Sequence, residues 1–172
     1  MNGINLFSEC FKDKNVVITG HTGFKGSWLS AWLILSGANV PGIALSPPSK
    51  PSHFKCLNLG NSLTDLRIDI RNSKKLKSVL IEAKPDFVFH LAAQPIVHES
   101  YLNPDITYNT NVIGTVNVLE ALRQLKKPCV AVFITSDKAY RNYEWDWGYR
   151  ESDELGGSDP YSASKAAVEI VI

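Results

Sequence analysis

Cysteine is scarce in this chain, and its placement points to no chemistry. The three residues, Cys10, Cys56 and Cys129, are odd in number and far apart. They offer neither a zinc-ligand spacing nor a disulfide framework, so reduced structural thiols and no metal are expected. Basic patches interleaved with aromatics are missing too, and the formal net charge is only +1. That argues against a nucleic-acid partner. No apolar run approaches the roughly 18 residues that a membrane span needs. The start, Met1-Asn2-Gly3-Ile4-Asn5, lacks a basic segment ahead of an apolar core. A cytoplasmic protein without a membrane partner is the expectation. Repeats and low-complexity tracts are absent. What remains is 44% hydrophobic and 20% charged over 172 residues, enough for one domain with a real core.

Strand and helix signals alternate along that domain. Residues 15–19 form a short apolar run that stops at Gly20. Residues 25–36 carry Trp28, Leu29, Trp32, Leu33 and Leu35 in a helical rhythm, with Gly37 placed to end the helix. Residues 40–45 predict a second strand, 46–61 a loop rich in Pro and Ser, and 65–70 a third strand. Asn72 or Ser73 is suited to cap a helix running to Ala83. Residues 86–92 predict a fourth strand, apolar almost throughout, as when both faces are covered. Asn103-Pro104 opens a helix to about Leu125. Residues 129–136 give the fifth strand, an aromatic loop follows, and Asp159-Pro160 opens the last helix. Such alternation predicts a Rossmann-like, doubly wound parallel sheet in the order 3-2-1-4-5.

The turn after the first strand reads Thr19-Gly20-His21-Thr22-Gly23-Phe24-Lys25-Gly26. Its glycines allow a tight turn and a close approach of pyrophosphate, and the helix behind it offers free N–H groups. The acidic residue expected about 20 positions on, which would hold an adenosine ribose, is missing. Ser46 stands at the end of the second strand, and no Arg stands there to take a 2′-phosphate. Asp69 ends the third strand, where it suits either an adenine amino group or a helix cap. Near the other end, Tyr161 and Lys165 lie four apart and share a helix face. A neighbouring ammonium favours the phenolate and fits Tyr161 to act as a base. Asp137-Lys138 suits either reaction chemistry or a solvated charge pair at a strand end.

Together these residues carry a resemblance. The glycine turn, Asp69-Ile70, His90-Leu91-Ala92-Ala93-Gln94, Asn111 and Tyr161/Lys165 resemble the extended short-chain dehydrogenase/reductase superfamily. More selective segments are Thr135-Ser136-Asp137-Lys138 and Glu144-Trp145-Asp146-Trp147-Gly148-Tyr149-Arg150-Glu151. They are similar to the sugar-nucleotide 4,6-dehydratases and, within them, to the CDP-glucose group. Ser46-Pro47-Pro48 fits that group as well, whereas His98 stands where the pattern more often has Arg.

The resemblance implies NAD as cofactor. Gly20, Thr22, Gly23, Phe24, Lys25 and Gly26 would lie under its pyrophosphate, and Asp69 and Ile70 near its adenine. Leu91, Ala92, Ala93, Gln94, Asn111, Tyr161 and Lys165 would complete the cofactor site. It implies CDP-glucose as substrate and CDP-4-keto-6-deoxyglucose as product, for deoxysugar and O-antigen polysaccharide synthesis. Sugar C4 is oxidised, water leaves across C5 and C6, and hydride returns to C6. Tyr161 would take the C4 hydroxyl proton, and Lys165 would hold the nicotinamide ribose. Ser136 would orient the C4 oxygen, Asp137 would protonate the leaving C6 hydroxyl, and Lys138 would remove the C5 proton. Trp145 and Trp147 would wall the sugar or anchor their loop.

Family members continue for about as many residues again. Residues 1–172 are therefore expected to be the NAD-binding domain, ending before a substrate subdomain, and activity of this chain by itself is in doubt. A homodimer through a four-helix bundle is also implied, with Val112, Val116, Leu119 and Ala166 in the contact. A nucleotide-sugar 4-epimerase, another 4,6-dehydratase, and an inactive dinucleotide-binding module are the alternatives.

Overall fold

The computed structural model describes residues 9–172. Its sheet has five parallel strands in the order β3-β2-β1-β4-β5, as expected. They are β1 (Val16–Thr19), β2 (Pro41–Ala44), β3 (Thr64–Arg67), β4 (Phe87–His90) and β5 (Val130–Phe133). The central strand is buried on both faces, which is why its sequence is apolar without alternation. Side chains of β1 nevertheless divide by period two. Val16 and Ile18 join Leu33, Val40 and Phe11 on one face. Val17 joins Ile43, Leu76, Leu80, Val88 and Val118 on the other.

The first face is covered by α1 (Phe24–Leu35), which ends at Gly37 with a left-handed φ of 80°. The other face lies under α3 (Ser73–Ala83) and α6 (Gly114–Leu122), with α5 (Pro104–Tyr108) preceding α6. Asn72 caps α3 by accepting a hydrogen bond from Lys75 N–H. Asp159 does the same for α7 (Pro160–Val171) through Ser162 N–H, with Pro160 in the first turn.

Several expectations need correction. Residues 46–61 are not all loop: α2 (His53–Cys56) and a 3₁₀ turn (Leu59–Asn61) lie within them, because Phe54 and Leu59 are buried. A short helix, α4 (Val97–Leu102), precedes the long helical run. That run is not one α-helix to Leu125. A π-helical turn, Asn109–Ile113, separates α5 from α6, which ends at Leu122. Strands β3, β4 and β5 stop two or three residues early. The residues they release at the carboxyl edge of the sheet build the site.

Candidate cofactor cradle and reaction site

A cavity of about 550 Å³ runs along the carboxyl edge of the sheet. Its floor is the glycine turn. Gly20 has a left-handed φ of 80°, and a Cβ there would lie 2.8 Å from Ala92 N. At Gly26 a Cβ would lie 2.1 Å from the Gly20 carbonyl oxygen. These two glycines let the turn pass under α1 and against the end of β4, which no side chain permits. Gly23 begins α1 without any side-chain cap, and the first turn carries no acid. Free N–H groups at the positive end of a helix dipole suit a pyrophosphate. Thr22, Phe24 and Lys25 line the same wall.

One side of the cavity is built from two strand ends. Ser46 and Pro48 line it after β2, and Asp69, Ile70 and Arg71 after β3. Asp69 does not cap α3, since Asn72 does. Its carboxylate instead accepts from the Arg71 backbone N–H at 2.9 Å and from the guanidinium at 2.6 Å, which pulls its pKa down. Arg67 reaches over from β3 and donates to the Leu45 carbonyl at 2.6 Å. It is tied to Asp65 and stays outside the cavity lining. Thr22 Oγ1 also donates to the Leu45 carbonyl, at 3.0 Å. His21, fully buried, hydrogen-bonds Asp65 at 3.0 Å, and burial lowers its pKa.

Leu91, Ala92 and Ala93 line the cavity, and so do Tyr161 and Lys165. Gln94 and Asn111 do not line it. Gln94 folds onto Ile96 and Thr107. Asn111 is a buried amide that ties the end of β4 to α7. Lys165 Nζ donates to the Ile134 carbonyl at 3.3 Å, and burial lowers its pKa, with Glu169 opposing. Such a lysine gives up its proton more readily than a solvated one.

Ser136 caps a 3₁₀ turn, Asp137–Ala139, that packs against α7. Its hydroxyl donates to Asp137 Oδ1 at 3.0 Å and accepts from Lys138 N–H at 3.2 Å. Asp137 and Lys138 are exposed, and none of the three lines the cavity; the preceding Ile134 and Thr135 do. The turn therefore brings the triplet beside the Tyr161 helix, next in the chain to the lining residue Thr135 and outside the lining itself. Trp145 stacks between Tyr143 and Trp147 at 5.0 and 5.2 Å, which favours the loop-anchoring role. His98 is exposed.

Sequence reasoning missed Ala44, Leu45, Ile68, Arg71, Pro95, Thr110, Ile134 and Thr135 as lining residues. Most lie one to four positions beyond a strand end, so stopping the strands earlier would have found them.

A parallel sheet in this order, with a glycine turn opening α1 and a cavity along its carboxyl edge, belongs to the Rossmann-like class. Within it, the family model for GDP-mannose 4,6 dehydratase matches residues 17–172, and the chain belongs to that family. CDP-glucose 4,6-dehydratase of Salmonella typhimurium is 51% identical over 161 residues, 94% of this chain and 45% of that protein. CDP-paratose 2-epimerase of Salmonella typhi is 30% identical over 172 residues, 90% of this chain and 50% of that protein. Among solved structures, epimerase Mth375 of Methanothermobacter thermautotrophicus superimposes with a TM-score of 0.83 at 28% identity, over 99% of this chain and 49% of that one. MoeE5 in complex with UDP-glucose and NAD gives 0.72 at 31% identity, over 91% and 47%. The chain spans about half the length of the curated relatives named here.

Proposed function

We propose that residues 1–172 are the NAD-binding domain of an enzyme that dehydrates CDP-glucose to CDP-4-keto-6-deoxyglucose. The observation that carries this reading is one cavity whose lining joins the glycine turn to Tyr161 and Lys165. Likeness to the Salmonella CDP-glucose 4,6-dehydratase supports the choice of nucleotide and sugar. The cradle fits NAD: a capless α1 start for the pyrophosphate, Asp69 at the adenine edge, and Lys165 in reach of a ribose wall. NAD supplies, when bound, the acceptor for the C4 hydride and its donor to C6. Tyr161 takes the C4 hydroxyl proton, and Lys165 holds the ribose and keeps positive charge near the phenol. Ser136 orients the C4 oxygen. The ketone acidifies C5–H, so that Lys138 removes that proton while Asp137 protonates the departing C6 hydroxyl, and Lys138 gives the proton back to C5 when C6 is reduced. Their exposure, next in the chain to the lining residue Thr135, suits groups that meet a sugar entering from outside.

Incubation of the protein with NAD and CDP-glucose tests the reading, by product analysis. A 4-keto-6-deoxy sugar is expected. A C4-inverted sugar would mark an epimerase, and unchanged substrate with bound cofactor a binding module. In an active preparation, Asp137→Asn leaves Tyr161 and Lys165 in place. It is expected to accumulate reduced cofactor, seen by absorbance, while product formation falls about 10²-fold or more. Normal product formation would return Asp137 to a surface charge.

The same reading places the protein in the cytoplasm, serving deoxysugar and O-antigen synthesis. Among the described residues no helix is long and apolar enough to cross a membrane. It also includes a homodimer through a four-helix bundle of α5, α6 and α7. Ile106, Ile113 and Ile170 are exposed on these segments, and Val112, Val116 and Leu119 are half-buried. Ala166 is removed from the contact set, because it is buried within the chain. Sedimentation equilibrium is expected to give a dimer mass; a monomer at high concentration would refute it.

A further inference from the structure

Thr19, His90, Thr115, Asn111 and Ser164 form a buried polar line from the end of β1 to the helix that carries Tyr161. Each is at most 4% exposed. The proton positions follow from chemistry. Thr115 Oγ1 lies 2.6 Å from the Asn111 carbonyl, which only accepts, so the single hydroxyl proton of Thr115 lies there. Thr115 therefore accepts from His90 Nε2, 3.1 Å away, and the imidazole carries its proton on Nε2. Nδ1 is left as an acceptor and receives the Thr19 hydroxyl at 2.6 Å. The lone pairs of Thr19 Oγ1 then take the backbone N–H groups of Leu91 and Ala92, each at 3.2 Å.

Beyond Thr115 the line continues. Asn111, on the π-helical turn, accepts from Gln94 N–H at 2.8 Å and donates to Ser164 Oγ at 2.9 Å. Ser164 donates in turn to the Tyr161 carbonyl at 2.6 Å. Each hydroxyl proton is used once, and both ring nitrogens of His90 are satisfied. A fully satisfied buried network fixes one arrangement of the elements it joins. This one touches the cavity wall in two places, at Leu91-Ala92 and at Tyr161.

We propose that His90, as the neutral Nε2–H tautomer, is a positioning residue for the dinucleotide site. Through Thr19 it holds the Leu91-Ala92 backbone against the glycine turn. Through Thr115 and Asn111 it keeps the Tyr161 helix in register with that wall. The inference rests on reading the cavity as a dinucleotide site. His90 is faced by Thr19 of β1, Thr115 of α6, Phe133 of β5 and the positive charge of Lys165 of α7. Burial first, and that charge second, push its pKa down to about 3, in the same direction as the neutral ring that the hydrogen bonds require.

The test measures the NAD dissociation constant, the thermal midpoint and the imidazole ¹⁵N spectrum of the protein and three variants. His90→Phe removes both ring hydrogen bonds, and Thr115→Val cuts the line one step on. Each is expected to weaken NAD binding by the folded protein by about tenfold, the worth of one or two net hydrogen bonds. His90→Gln, whose amide reaches the Nε2 position, is expected to recover part of the loss. The spectrum is expected to show the Nε2–H tautomer down to about pH 5, since the folded pKa lies well below that. Wild-type affinity in a folded His90→Phe or Thr115→Val protein overturns the proposal, even with a lowered midpoint, because His90 would then only pack. If His90→Phe fails to fold, Thr115→Val and the spectrum decide, and an Nδ1–H ring or an imidazolium overturns it. A wild-type protein that binds no NAD instead overturns the dinucleotide reading, and the proposal falls with it.

Discussion

If the proposed dehydration is this protein's reaction, Tyr161→Phe is expected to lower turnover of the nucleotide sugar by roughly 10²–10⁴-fold, the range for a lost general base. Cofactor reduction and product formation should fall together, because the first oxidation comes before every later step. The substitution removes one oxygen and little else. The ring stays packed, since Tyr161 is 8% exposed and its backbone N–H is held by Ser100 Oγ at 3.1 Å. Lys165 is anchored separately, on the Ile134 carbonyl, and does not need the phenol to keep its place. NAD affinity should therefore change by less than about threefold, a fraction of one hydrogen bond. The split between kcat and cofactor affinity is the discriminating readout. A variant that loses NAD binding in proportion to turnover would make Tyr161 a part of the cradle wall, and the base would have to be sought elsewhere.

That Tyr161 and the glycine turn meet at one cavity was legible because each carries a local signature. Three glycines before a helix record a backbone that must turn and come close, as the clash distances at Gly20 and Gly26 show. A Tyr and a Lys on one helix face record their own geometry. The strand order followed from alternation, because parallel strands leave few topologies open. What stayed hidden depends on partners distant in the chain. Arg67 reaches Leu45, 22 positions away, across a strand pair, so a search limited to the end of the second strand could not find it. The π-helical turn leaves no propensity signal, because what supports it is the packing of Asn111 against Gln94 and Ser164, 53 positions apart at the longest. His90 was visible as one letter of a motif. Its two hydrogen bonds, to residues 71 and 25 positions away, were not. The Ser136-Asp137-Lys138 triplet is a local signal of the opposite kind: its residues were found by pattern, and the structure leaves them outside the cavity lining, just beyond Thr135.

Mild acid is expected to destabilise the fold well before the carboxylates titrate. His90 has a folded pKa of about 3, against 6.5 when unfolded. Above about pH 6.5 the ring is neutral in both states, and the stabilisation is fully present. Below it the unfolded chain binds a proton that the folded protein refuses, so stability falls by about 1.4 kcal/mol per pH unit until the folded pKa is reached. From His90 alone the loss is about 2 kcal/mol by pH 5, and about 4 kcal/mol by pH 3. His21, also lowered by burial, adds to it in the same direction. Asp69 and Asp86 contribute only lower down, since their partners depress carboxyl pKa values that begin near 3.8. The interval between about pH 6.5 and 5 thus belongs to the histidines. Urea unfolding across that interval measures it, and His90→Gln, which cannot titrate, should flatten the slope by the part that His90 supplies, about 1.4 kcal/mol per pH unit. An unchanged slope in that variant, or a wild-type stability that stays level to about pH 5, would mean that the folded protein accepts a proton on His90. The buried line from Thr19 to Thr115 would then have to break each time it did.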